Sequence, residues 1–111
     1  MMQPTPDIFQ AIGDPSRRQI LQLLSQDTLT INALAAHFEM SRPAVSKHIK
    51  ILHSTGFIVI EDKGRERYCT LHRDGFQALQ QWISFFDVFW QHRLKKLENL
   101  LDNTGHKSKG H

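Results

Sequence analysis

Residues 40–52 read MSRPAVSKHIKIL. Val45, Ile49 and Leu52 fall at i, i+4 and i+7, the spacing of the buried stripe of a short helix. Arg42, Ser46, Lys47 and Lys50 crowd the other positions, and Pro43 stands in the first turn. A proline is tolerated there because the N–H it lacks would have no intrahelical partner. The stretch therefore predicts a helix over 42–54 with an apolar face for a core and a cationic face for something else. That second face is either a solvated back or a surface that reads a partner.

The flanking segments bear on the choice. Upstream, Asp14-Pro15 is an N-cap followed by proline at the first helical position, opening PSRRQILQLLSQ with Ile20, Leu21, Leu23 and Leu24 facing inward. Thr30 can cap INALAAHF, whose stripe is Ile31, Leu34, Ala35 and Phe38. Only Glu39-Met40-Ser41 separate that helix from the next, too few for antiparallel packing and suited to a helix-turn-helix angle. Ala35 sits where the two helices should cross closely. Downstream, Gly56 is a fitting left-handed helix terminus, and the period then changes. FIVIED and RERYCTL are rich in β-branched and aromatic residues, with Lys63-Gly64 as a tight turn between them. Residues 57–72 thus predict a two-stranded hairpin with Lys63, Arg65 and Arg67 at or near its tip. Asp74 opens a last helix, expected to run over about 74–101, and residues 102–111 read as a polar tail. A short apolar segment from Asp7 to Ile12, with Ile8, Phe9 and Ile12 and ending at Gly13, supplies one further helix at the start. The fold class expected is mainly α with a small β-hairpin, in the order α-α-α-α-β-β-α: a winged helix-turn-helix in one domain spanning 1–101.

Composition sets limits on function. The 111 residues suffice for one modest core. No run approaches the roughly 18 apolar residues of a membrane helix, and MMQPTPDIFQ lacks the pattern of a secretory signal. The single cysteine, Cys69, excludes an internal disulfide and suits a reducing compartment, so the cytoplasm is the expected location. The net charge of +3 is unevenly spread: residues 41–73 carry seven Lys or Arg against three Asp or Glu, whereas residues 1–40 carry two against four. A basic surplus on the segment of the unusual helix is the electrostatic footprint of a nucleic-acid binder.

The chemistry of the polar face agrees with that footprint. The second helix of a helix-turn-helix enters the major groove with its amino-terminal residues nearest the bases. Its exposed N–H groups and dipole suit a phosphate. Arg42 can fork onto guanine or clamp a phosphate, with Lys47 and Lys50 on the same outward side. Ser46 is short enough to permit close approach, and Ser41 and Pro43 stand at the same end. His48, beside the apolar seam, can touch DNA or pack inward. Lys63, Arg65 and Arg67 of the wing can reach backbone or minor groove, with Arg65 favoured because Glu61, Asp62 and Glu66 dilute the cluster. Charge protection of an exposed hairpin edge is the plainer explanation of those cations.

The runs DPSRRQILQLLS, INALAAHFEMSRPAVSKHIKILHSTGFI and KGRERYCTL together resemble the ArsR-type transcriptional repressors, over about Asp7 to Leu101. The resemblance implies a homodimeric winged-helix protein that binds an operator in double-stranded DNA. It also implies DNA contacts from Arg42, Ser46, Lys47 and the wing. Many relatives sense metals or metalloids through a Cys-x-Cys in the first helix of the motif. Here those positions are Thr30 and Asn32, neither a soft ligand. A second type uses His and carboxylates on the last helix, but the spacing of Asp87, His92 and Glu98 does not match it. His37, His48, His53 and His72 are scattered over different elements, and His106 and His111 lie in the tail. No metal site, cofactor or thiol trigger is expected, and nothing in these residues specifies an inducer. A metal- or thiol-responsive repressor of the same family is the alternative.

The last helix carries Trp82, Phe85, Phe86, Phe89, Trp90, Leu94 and Leu97, a broader apolar surface than so small a domain can cover. Symmetric pairing with a second copy, helped by Ile8 and Phe9, is the expected use. FFDVFW also resembles a metal-free, autorepressor-like subgroup of the family. An enzyme is disfavoured, since there is no phosphate loop, paired catalytic carboxylates or nucleophile motif. A winged-helix protein-interaction module is a better rival. It would not need cations on the recognition face.

Overall fold

A computed structural model describes residues 7–105. The chain divides into two compact units at Leu79–Gln80. The first unit contains α1 (Ile8–Gly13), α2 (Pro15–Leu24), β1 (Leu29–Thr30), α3 (Ile31–Ala35), α4 (Arg42–Ser54), β2 (Ile58–Lys63) and β3 (Glu66–Leu71). It also holds the start of α5 (Arg73–Ser84), and the second unit contains α6 (Asp87–Gly105). No helix among the described residues is long and apolar enough to cross a membrane.

The helix starts in the first unit are set by side-chain caps. Asp7 and Gln10 form a reciprocal capping box on α1. The Asp14 carboxylate accepts from the N–H groups of Ser16 (2.8 Å) and Arg17 (3.2 Å) ahead of Pro15. Burial works against ionisation of Asp14, but those two N–H groups, with the Arg17 guanidinium nearby, outweigh it and hold the carboxyl below its ordinary range. At the other end of α1 the carbonyls lack helical partners, and arginines supply them. Arg17 donates to the carbonyls of Ala11 (2.7 Å) and Gln10 (2.8 Å), and Arg18 to that of Ile12 (2.7 Å).

The core gathers one stripe from each helix. Ile20, Leu21 and Leu24 of α2, Ile31 and Leu34 of α3, and Val45, Ile49 and Leu52 of α4 pack with Ala11, Phe57, Ile58 and Cys69. The hairpin sheet has a third strand that the sequence did not suggest. β1 pairs antiparallel with β3, Leu29 opposite Cys69 and Thr30 opposite Tyr68, giving the order β1-β3-β2. Two residues are too short to show a period, and Thr30 serves twice, also capping α3 through the Ala33 N–H at 3.0 Å.

Two expected elements differ. The helix INALAAHF is helical only over Ile31–Ala35. His37 and Phe38 then turn back on Leu34 and Ala35 through three-residue bonds, and Phe38 and Met40 pack against the core. The connection to α4 is therefore longer than the three residues expected. The single helix expected over 74–101 is two helices. The Phe86 N–H reaches Ile83 at 3.0 Å instead of the residue four back, which breaks the ladder after Ser84, and Asp87 then favours a new helix start by its charge. Within α6 no proline or glycine precedes Gly105, so the helix runs through residues 102–105, where a tail was expected. The remaining tail, with His106 and His111, lies outside the described residues.

The join between the end of α4 and the start of α5 is unusually close. Gly56 adopts φ +86°, and the Gly75 N–H donates to its carbonyl at 2.7 Å. A Cβ on Gly75 would lie 2.7 Å from the ring of the fully buried Phe57, which also meets Phe76 edge-to-face at 5.0 Å. Helix propensity alone would make Gly75→Ala stabilising by up to about 1 kcal/mol. The clash instead predicts a loss of about 1–3 kcal/mol in urea unfolding. An unchanged or higher midpoint would show that the Phe57 ring yields.

Candidate nucleic-acid interface

α4 is built as the sequence implied. Ser41 caps it by accepting from the Ala44 N–H at 3.3 Å, Pro43 sits in the first turn, and Val45, Ile49 and Leu52 are buried. Arg42, Pro43, Lys47 and Lys50 are exposed, and Ser46 is half-buried. These side chains border a groove of about 870 Å³ between α4 and the hairpin. Its lining combines an apolar floor of Ile31, Ile49 and Ile60 with Arg42, Ser46, Lys47, Lys50 and His53 from the α4 side and Arg67 from β3. His53 was not among the expected contacts, yet it lies seven residues after Ser46 and three after Lys50, so helical spacing places it on the same face.

The cations differ in how far they are already engaged. Arg42 donates through Nε to the Asn32 Oδ1 at 2.6 Å and through Nη1 to the Ser46 Oγ at 3.0 Å. Arg67 donates through Nε to the Asp62 carboxylate at 2.9 Å. Lys63 lies 4.0 Å from the Glu61 carboxylate and 5.7 Å from the centre of the Tyr68 ring. Both wing ion pairs are solvent-exposed and therefore weak, easily exchanged for a phosphate. Arg65 follows Gly64, whose φ of +65° makes the turn, and has no hydrogen-bond or ion-pair partner among the described residues. Lys47 and Lys50 are likewise without protein partners among those residues.

His48 lies on a different side. Its Nδ1 is 3.1 Å from Arg17 Nη1 and it does not line the groove. A guanidinium only donates, so Nδ1 is the acceptor and the ring proton of that tautomer sits on Nε2. His48 thus links α4 to Arg17 and, through it, to the end of α1.

Other chemistry is sparse. Among the described residues no three His, Cys, Asp or Glu side chains come together as a metal site. His72 Nε2 and Asp74 Oδ2 meet at 3.1 Å as an isolated exposed pair. Cys69 is fully buried on β3, and burial pushes its thiol from about 9 up to about 11, against a small opposing pull from Arg67.

The model of the bacterial regulatory protein arsR family matches residues 14–59. The transcriptional repressor SdpR of Bacillus subtilis is 36% identical over 80 residues, spanning 72% of this chain and 89% of its own. Among solved structures, the ArsR family transcriptional regulator RHA00566 superposes with a TM-score of 0.71 at 37% identity, over 76% of this chain and 87% of that one. The homodimeric winged helix-turn-helix DNA-binding domain Mb0332 of Mycobacterium bovis superposes with a TM-score of 0.58 at 25% identity, over 73% and 78%.

The state of Cys69 gives a test of the first unit. The thiol should react with a disulfide reagent no faster than the protein unfolds. Its raised value has a second consequence. Between about pH 9 and 11 the unfolded chain loses a proton that the folded one keeps, so stability should fall by up to about 1.4 kcal/mol per pH unit. Cys69→Ala should remove that part of the slope; fast labelling and an unchanged slope would show an accessible thiol. By these similarities the chain, with its groove between α4 and the wing, belongs to the arsR family of bacterial regulatory proteins, DNA-binding transcriptional regulators and not enzymes.

Proposed function

We propose that this protein is a transcriptional repressor of the cytoplasm that binds an operator as a homodimer, with α4 in the major groove and the wing along the adjacent backbone. The observation that carries this reading is the groove itself. Arg42, Ser46, Lys47 and Lys50 from α4 converge with Arg67 from β3 on one surface, while Val45, Ile49 and Leu52 fix the helix to the core. In this reading Arg42 and Ser46 meet base edges, and the helix start around Ser41 and Pro43 faces a phosphate. Lys47, Lys50, Arg65 and, after exchange of their carboxylate partners, Lys63 and Arg67 hold the sugar-phosphate backbone. His48 acts from behind, steadying α4 through Arg17, instead of touching DNA.

The second unit supports the dimer. On α6, Trp90, Leu94, Leu97 and Leu101 recur at helical spacing, each between 52% and 61% exposed in the single chain. Phe85 and Phe89 widen that surface, and Phe86 packs edge-to-face on Trp82 at 5.0 Å. Apolar rows of this extent mark an interface, and the similar domain from Mycobacterium bovis is homodimeric. Ile8 and Phe9 of α1, half-buried and exposed respectively, are the further contributors proposed. Two copies present two α4 helices to the two half-sites of an operator.

Replacing Arg42 and Lys47 together by alanine should weaken operator binding on the order of a hundredfold with the dimer intact. In the parent, affinity should fall with salt by a log–log slope of about −0.9 for each phosphate engaged. Parent-like binding by the double variant, or a flat salt response, would contradict groove reading by α4. In sizing chromatography the parent should elute at twice the chain mass at micromolar concentration. Leu94→Asp with Leu97→Asp should elute as a monomer and lose operator affinity, and a parent that is monomeric would contradict the dimer.

A further inference from the structure

We propose that Asn32 is a specificity-determining residue that never touches DNA: it orients the Arg42 guanidinium for base reading. The inference deepens the operator-binding reading above and rests on it. Arg42 is the first residue of α4, on a long and otherwise flexible side chain that a solvated cation would leave mobile. Here its plane is fixed from two directions. Asn32 Oδ1 takes the Nε hydrogen at 2.6 Å, a short bond reinforced by the donor's charge, and Ser46 Oγ takes one Nη1 hydrogen at 3.0 Å.

Only an oxygen can accept from that nitrogen, so the amide orientation of Asn32 is imposed as well. A guanidinium has five N–H groups, and two are now used within the protein. The remaining three, all on the two terminal nitrogens, suffice for a forked contact to the acceptor pair of guanine. The Ser46 hydroxyl accepts from Arg42, which leaves its own hydrogen to donate outward.

The place of Asn32 is itself set by the sheet. It is the second residue of α3, directly after Thr30 and Ile31. Thr30 is paired with Tyr68 in the β1–β3 ladder and caps α3, and Ile31 is buried. The acceptor is therefore presented by a paired strand and a core anchor. Phosphate contacts tolerate a swinging cation, because attraction depends weakly on orientation. A forked base contact does not, and an arginine ordered in advance loses less freedom on binding. Loss of Asn32 should therefore weaken cognate binding selectively and spare the sequence-independent part.

The test uses the full-length chain and two duplexes: one selected by the parent from a random-sequence pool, and a shuffled duplex of the same composition. Asn32→Ala should weaken binding to the selected duplex about 5–10-fold, leave the shuffled one within about twofold, and keep the parent's unfolding midpoint. In an Arg42→Ala background the same change should add nothing, since its only route is through that guanidinium. Asn32→Asp keeps the accepting oxygen and should restore the ratio between the duplexes, even though its charge weakens both. Equal losses on both duplexes, or an undiminished loss in the Arg42→Ala background, would overturn the positioning role. If the parent selects no duplex at all, the operator-binding reading falls and this one with it. If selection succeeds and Asn32→Ala behaves as the parent, only the positioning role falls.

Discussion

Everything in the first unit depends on α4 burying Val45, Ile49 and Leu52 without burying anything between them. The three side chains are essentially inaccessible, whereas Arg42, Lys47 and Lys50 stay in water. A charge is too costly to bury unpaired, so the two faces cannot exchange, and the rotation of the helix about its axis is fixed. The start of α4 is then held outward by Ser41 and Pro43, and its end is drawn in by Phe57 and Ile58, both fully buried. A helix so anchored presents the same cationic edge in every molecule, which a recognition surface requires.

The surrounding elements supply what α4 cannot provide alone. α2 and α3 complete the apolar pocket for its seam, and the arginines of α2 close the end of α1 while Arg17 reaches His48 on α4. The sheet does two separate tasks. β3 brings Arg67 to the groove and buries Cys69, and its pairing with β1 sets the start of α3, from which Asn32 holds Arg42. The groove is thus defined by side chains from α3, α4, β2 and β3, all within the first unit.

Much of this was legible in the residues because it rests on local signals. The caps at Asp14, Thr30 and Ser41, the prolines behind two of them, the seam of α4 and the glycine of the hairpin turn each act within a few positions, although the turn falls at Gly64-Arg65, one residue beyond the expected Lys63-Gly64, because Lys63 still pairs with Glu66. What stayed hidden depends on contacts between distant residues. Asn32 and Arg42 meet across a turn that no periodicity describes, and Arg17 and His48 meet across 31 positions. β1 is too short to carry a pattern. Gly75 looks like an ordinary residue of a helix start until the Phe57 ring is placed against it. The break at Phe85-Phe86 was masked by a stripe of apolar residues that continues through it, since the same spacing fits one long helix or two.

In the proposed reading the amino-terminal half of α4 and the wing form the DNA-reading surface. Amide hydrogen exchange of the parent, with and without a saturating selected duplex, tests it most directly, because it reports every segment at once. Slowed exchange is expected from Ser41 to Lys50 and through the hairpin around Gly64 and Arg65, with α2 and its buried stripe unchanged. Protection confined to α6, with residues 41–50 exchanging as in the free protein, would contradict it.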